Sequence, residues 1–181
     1  MDRRVSKQVM VGGVAVGGGA PITVQSMLNV PAHDIEGNVA QALRLQACGC
    51  DIIRTAVPDK EAVKLVAALK EALTIPVVAD IHFDYQLALE SAAVGVDKIR
   101  INPGNIGDES RVKAVAQECL RRNIPIRIGV NSGSLEKEIL AKYGHPTPRR
   151  CATVRCITPP CWRNTILTTL CCLSNLPTCL R

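Results

Sequence analysis

The chain has 181 residues, 47% of them hydrophobic and 2% aromatic, enough apolar material to bury one core built on Val, Ile, Leu and Ala, as in parallel sheets covered by helices. The formal charge of +6 is uneven: residues 1–148 carry 17 Lys and Arg against all 16 acids, whereas residues 149–181 carry five arginines and no acid. A nearly neutral body with few aromatic rings excludes the usual footprint of nucleic-acid binding. No apolar run reaches the roughly 18 residues of a bilayer span, and Met1-Asp-Arg-Arg-Val-Ser-Lys7 lacks a signal's apolar block; a cytoplasmic location and no membrane partner are expected.

In chain order, residues 9–16 alternate around Gly12-Gly13 and predict a short hairpin. Residues 17–21 are glycine-rich, but a phosphate-cradling loop needs a strand before it and a helix after it. Here Pro21 and a strand over 22–27 follow, so the stretch is read as a turn. Asp34 is placed to cap a helix over 35–47, with Ile35, Val39 and Leu43 at helical spacing and Gly49 ending it. A strand over 50–57 leads to Asp59, the cap of a helix running through 73. Strand 76–82 precedes helix 85–94, strand 98–102 precedes helix 109–122, and strand 125–130 precedes helix 135–143, ended by Gly144 and Pro146.

Five β-then-α units at this spacing imply parallel strands joined by helical crossovers, in either a doubly wound sheet or a (β/α)8 TIM barrel. A doubly wound sheet normally carries a phosphate-binding glycine fingerprint after its first strand, and Gln25-Ser-Met-Leu-Asn29 stands in that place. A barrel spreads its site over the carboxyl ends of many strands. That is where the polar residues fall: Gln25 and Ser26, Arg54 and Thr55, Asp80 and His82, Arg100 and Asn102, Arg127 and Asn131. The α/β barrel reading is therefore preferred, as an incomplete (β/α)8 TIM barrel of about five βα units, since a whole barrel takes about 250 residues.

Arg54, Arg100 and Arg127 each follow apolar strand residues. Burying three guanidinium groups near one another is costly without anions, and their planar forks suit phosphate or carboxylate oxygens. The competing reading pairs each arginine with a neighbouring acid such as Asp51 or Asp80. Asp80 and His82, two apart on one strand, share a face; the imidazole could transfer a proton or hold a phosphate oxygen, with Asp80 setting its tautomer. Asn102 and Asn131 could hydrogen-bond substrate oxygens or serve as turn residues. Backbone N–H groups at Gly133 and Ser134 could receive a further phosphate oxygen. A metal at Asp80-Ile-His82 is disfavoured because no second histidine lies at a neighbouring strand end.

The motifs Pro21-Ile-Thr-Val-Gln-Ser-Met27, Asp51-Ile-Ile-Arg54, Val78-Ala-Asp-Ile-His-Phe-Asp-Tyr85, Asp97-Lys-Ile-Arg-Ile-Asn-Pro-Gly-Asn-Ile-Gly107 and Ile126-Arg-Ile-Gly-Val-Asn-Ser-Gly-Ser-Leu135 resemble the bacterial 4-hydroxy-3-methylbut-2-enyl diphosphate synthase family. The resemblance covers about residues 5–148 and departs from the family at Leu28 and Val30, where small polar residues are usual. It implies an iron-sulfur oxidoreductase of the non-mevalonate isoprenoid pathway, which reductively opens 2-C-methyl-D-erythritol 2,4-cyclodiphosphate. It further implies a substrate-binding barrel, a separate C-terminal domain with a [4Fe-4S] cluster on three Cys and a Glu, flavodoxin or ferredoxin as electron donor, and a homodimer. On this resemblance Arg54, Arg100 and Arg127 grip the diphosphate, His82, Asn102 and Asn131 complete the polar lining, and Asp80 supports them.

Residues 149–181 break the pattern. Six of the nine cysteines crowd there, without a C-x-x-C pair and without histidine, so cluster ligands are not carried over to them and no metal site is assigned. The expectation is a partial barrel over 1–148, an irregular Cys-rich tail over 149–181 of possible frameshift origin, and no iron-sulfur domain, which makes the chain inactive by itself. The alternatives are an unstable, non-enzymatic barrel fragment and another barrel enzyme acting on a diphosphate such as a pterin diphosphate.

Overall fold

A computed structural model of the chain describes residues 6–129. Asn131, Gly133, Ser134, the helix expected over 135–143 and the Cys-rich stretch 149–181 lie outside the described residues.

The chain opens with a hairpin of β1 (Val9–Val11) and β2 (Val14–Val16), in which Val9 pairs with Val16 and Val11 with Val14. Gly12 takes φ +53° at the turn, a conformation that favours glycine. A Cβ there would also come within 2.9 Å of Asp97 Oδ1 and 3.1 Å of Pro76 Cγ, so the turn lies close against the loops that enter two later strands.

The main sheet has five strands in sequence order: β3 (Gln25–Met27), β4 (Ile52–Ala56), β5 (Val77–Ile81), β6 (Lys98–Ile101) and β7 (Ile126–Ile128). Every neighbouring pair is parallel. Between them run α1 (Ile35–Ala47), α2 (Glu61–Ala72), α3 (Tyr85–Ala93), the one-turn α4 (Pro103–Ile106) and α5 (Glu109–Arg121). These are five consecutive strands of a (β/α) barrel, as the β-then-α spacing predicts, and the described strands form an open sheet rather than a closed one.

The helices start where the sequence supplies a carboxylate. Asp34 Oδ1 accepts from Gly37 N at 2.9 Å, Asp84 Oδ1 from Gln86 N at 2.9 Å and Asp108 Oδ1 from Arg111 N at 3.1 Å, each satisfying a donor left over by the first turn. Asp59 does the same for Ala62 N at 3.0 Å, although the helix proper begins at Glu61.

Strand alternation sorts the side chains onto two faces. Ile53, Val77, Ala79, Ile81, Ile99, Ile101, Ile126 and Ile128 face the helices, each 2% exposed or less, and pack with Leu65, Val66, Leu69, Leu87, Val112 and Val115. Full burial of each Ile or Leu stabilises by about 1.5–3 kcal/mol, so this layer dominates the fold. On the other face Ile52 and Val78 pack with Val11 of the hairpin, which closes the amino-terminal end of that face. Carbonward of this apolar floor the same face turns polar.

Two elements differ from the sequence reading. The first strand begins at Gln25 rather than 22, with Ile22 95% exposed; Val24 N donates to the Asp51 carboxylate at 2.7 Å, which takes the place of a ladder bond. The Pro-Gly turn after Asn102 is instead the single helical turn α4, with Asn105 N donating to Asn102 O at 3.0 Å. Proline suits a first helical position, where its missing N–H is no loss.

Candidate anion-binding site

The sheet register assembles the polar face. Ala56 lies opposite Asp80, Asp80 opposite Arg100, and Arg100 opposite Arg127, so one row crosses four strands near their carboxyl ends. Directly opposite residues in a sheet point to the same side, as do residues two apart along a strand. Arg54, two before Ala56, His82, two after Asp80, and Asn102, two after Arg100, therefore join that row.

Asp80 is the centre of the arrangement and is fully buried. Its Oδ1 accepts from Arg100 Nη1 at 2.9 Å, while its Oδ2 accepts from Arg54 Nε at 3.0 Å and also from Arg54 Nη2. The side chain of Arg100 is 8% exposed and that of Arg54 23%. A buried carboxylate is tolerable only with such partners. Two guanidinium groups share it, so these three groups carry an excess of one positive charge, and that excess favours an anion at the carboxyl-end rim.

His82 stands at the edge of the cluster, its side chain 45% exposed and its Nε2 3.9 Å from Asp80 Oδ2. Phe83 follows with its ring centroid 6.0 Å from that of His82. Asn102 is 4% exposed at the end of β6. The structure thus gathers Arg54, Asp80, His82, Arg100, Asn102 and Arg127 on one face. Pairing with a neighbouring acid, the competing reading of the arginines, is realised at Asp80 for Arg54 and Arg100. Asp51 instead accepts from Val24 N through Oδ2 at 2.7 Å.

Not every polar strand-end residue belongs here. Thr55 lies opposite Ala79 on the helix side, 2% exposed, its Oγ1 donating to Ala56 O at 3.4 Å, and Ser26 lies opposite Ile53 on the same side. Conversely, Lys98 was not singled out by the sequence reading. It is 4% exposed, lies opposite Val78 and shares its face with Arg100. The signal was present in the alternation Lys98, Arg100, Asn102. Gly129, just beyond β7, was also passed over: a Cβ there would come within 2.7 Å of Arg100 Cζ.

A [4Fe-4S] cluster finds no fit among the described residues. Cys50 and Cys119 are buried and Cys48 is exposed; Cys50 Sγ donates to main-chain oxygens of Ile52 and Val24. No group of three or more His, Cys, Asp or Glu among the described residues could hold a metal ion. Among them, too, no helix is long and apolar enough to cross a membrane.

Solved structures of dihydropteroate synthase share the fold: that from Vibrio fischeri with a TM-score of 0.66 at 11% identity, covering 92% of this chain and 66% of that one, and that from Yersinia pestis with a TM-score of 0.60 at 14% identity, covering 88% and 58%. Similarity in sequence is far stronger to 4-hydroxy-3-methylbut-2-en-1-yl diphosphate synthase (flavodoxin). The Azotobacter vinelandii protein of that name is 57% identical over 149 residues, and that of Hahella chejuensis 58% over 148, each match covering 82% of this chain. The chain spans about 40% of the length of these curated relatives. A family model described as the GcpE TIM-barrel domain matches residues 6–158, and the chain belongs to that family.

Proposed function

We propose that residues 1–148 are a substrate-binding barrel unit of a 4-hydroxy-3-methylbut-2-en-1-yl diphosphate synthase and that the charged row holds the diphosphate of 2-C-methyl-D-erythritol 2,4-cyclodiphosphate. The observation that carries this reading is the sharing of one buried carboxylate, Asp80, by the guanidinium groups of Arg54 and Arg100 at neighbouring strand ends.

Each residue then has a role. Arg54, Arg100 and Arg127 neutralise the diphosphate, with Asn102 and Asn131 donating to its oxygens. Asp80 is a positioning residue: both of its oxygens are occupied by arginine donors, which aims the two guanidinium groups rather than leaving a base to take a proton. His82 is half-buried at the rim, where an imidazole can pass a proton to an oxygen or hold one. Reductive ring opening needs two electrons, supplied by a [4Fe-4S] cluster when one is bound and delivered by the flavodoxin named in the relatives or by ferredoxin. No step through that group is assigned to the described residues, and binding rather than turnover is the property expected of this unit by itself.

The test is a melting curve and titration calorimetry with the cyclic diphosphate, and with a pterin diphosphate as the competing ligand. At a hundredfold excess over Kd, binding to the folded state stabilises by about 2.7 kcal/mol. A cooperative transition that rises with the cyclic diphosphate supports the proposal. No rise, a larger one with the pterin diphosphate, or no cooperative transition at all overturns it.

A further inference from the structure

The amino-terminal end of the sheet, opposite the charged row, holds a cavity of about 460 Å³. It lies between the turn of the hairpin and the two segments that lead into β6 and β7, and Met10, Val96 and Ile124 line it beside Asp97, Arg122 and Asn123. A volume of this order suits a small molecule, as does an apolar wall carrying a few polar groups.

The unspent hydrogen-bonding capacity of those polar groups decides the ligand. Arg122 donates to Glu118 Oε1 through Nε at 2.5 Å, and among the described residues neither of its Nη nitrogens makes a hydrogen bond. Two free N–H-bearing nitrogens of a guanidinium match the oxygens of a carboxylate. Asp97 offers the opposite charge. Its Oδ2 accepts from Lys70 Nζ at 2.6 Å and from Val77 N at 2.8 Å, which fixes the side chain and leaves Oδ1 without a hydrogen bond among the described residues. An ionised carboxylate only accepts, so that oxygen calls for an N–H donor. Asn123, at φ +56° in the left-handed region that asparagine tolerates, adds a side-chain amide that is likewise unbonded among the described residues.

We propose that this cavity binds an α-amino acid with a large apolar side chain, its carboxylate on Arg122, its ammonium group on Asp97 Oδ1 and its side chain against Met10, Val96 and Ile124. A bare anion would meet the Asp97 carboxylate and a bare cation the Arg122 guanidinium, whereas a zwitterion satisfies both. No residue of the charged row takes part, so the proposal stands apart from the diphosphate reading.

The experiment is an NMR titration of the isotope-labelled full chain with L-phenylalanine, with phenylalaninamide, which lacks the carboxylate, and with N-acetylphenylalanine, which lacks the ammonium group. L-Phenylalanine is expected to give saturable shifts at the backbone amides of Val96, Asp97 and Asn123, and each analogue to bind about tenfold more weakly or worse. Arg122→Gln should erase the preference for the amino acid over its amide. Met10→Trp, at a residue already 49% exposed, fills the cavity and should abolish binding. No saturable shift, shifts centred away from the cavity, or equal affinity for either analogue overturns the proposal. So does a folded Arg122→Gln chain that keeps the preference, or a folded Met10→Trp chain that still binds. Should neither variant fold, the three wild-type titrations decide by themselves.

Discussion

Arg100 Nη1 donates to Asp80 Oδ1 across 2.9 Å, with the two side chains 8% and 0% exposed. The carboxylate serves a second arginine through its other oxygen, so its charge offsets two buried or half-buried cations at once. Asp80→Asn keeps the shape and removes that charge. The expected outcome is a loss of about 3 kcal/mol, the lower end of what breaking a buried pair costs, because Arg54 is partly exposed. Urea denaturation measures it, and a midpoint within error of the wild type would show that the pairing does not stabilise the fold.

Arg54 donates to Asp80 through both Nε and Nη2, a two-point contact that an ammonium cannot copy. Arg54→Lys should therefore behave like Arg54→Ala in pyrophosphate titrations, each weakening binding about tenfold. Full affinity in the lysine variant would mean that charge alone, not fork geometry, is what this position supplies.

Asp34 Oδ1 accepts from Gly37 N at 2.9 Å and opens α1. Asp34→Ala should lower stability by about 1 kcal/mol, whereas Asp34→Asn, which retains a capping oxygen, should change it by a few tenths at most. Equal losses in the two variants would point to the charge instead of the cap.

Arg121 and Arg122 beside Glu118 hold its carboxyl down to about 2, against an ordinary 4.5. The folded state then refuses a proton that the unfolded chain accepts. Its stabilising effect is complete above pH 4.5 and is lost as pH falls towards 2. A carbon-detected NMR titration of Glu118 should find its midpoint near that value, and Glu118→Gln should flatten the acid limb of the stability curve in this window.

Burial pushes the Cys119 thiol up to about 12, leaving almost no thiolate near neutrality. Alkylation of the native chain at pH 8, mapped by peptide mass, should label exposed Cys48 and spare Cys119 and buried Cys50 until denaturant is added. Early labelling of Cys119 would show that α5 opens locally.

Much of this was legible in the residues. The capping aspartates mark the starts of α1, α2, α3 and α5, glycines mark the ends of α1 and α3, the apolar runs at Ile53, Val77 and Ile99 mark their strands, and the even spacing fixes a parallel sheet, because local hydrogen-bonding and periodicity rules act within a few residues. The placement of Arg54, Asp80, Arg100 and Arg127 at strand ends was legible for the same reason. The error at the first strand was not local: its beginning is lost to Asp51, a side chain 27 positions from Val24.

By itself the sequence determined the order and type of elements, the family and the face on which the arginines stand. Only the tertiary structure decided that one carboxylate serves two of those arginines, that Asp51 instead accepts from Val24 N, and that a glycine bounds the fork of Arg100. These depend on contacts between β4, β5, β6 and the segment after β7, whose distances are set by sheet register and side-chain reach, and no pattern within a single strand encodes them.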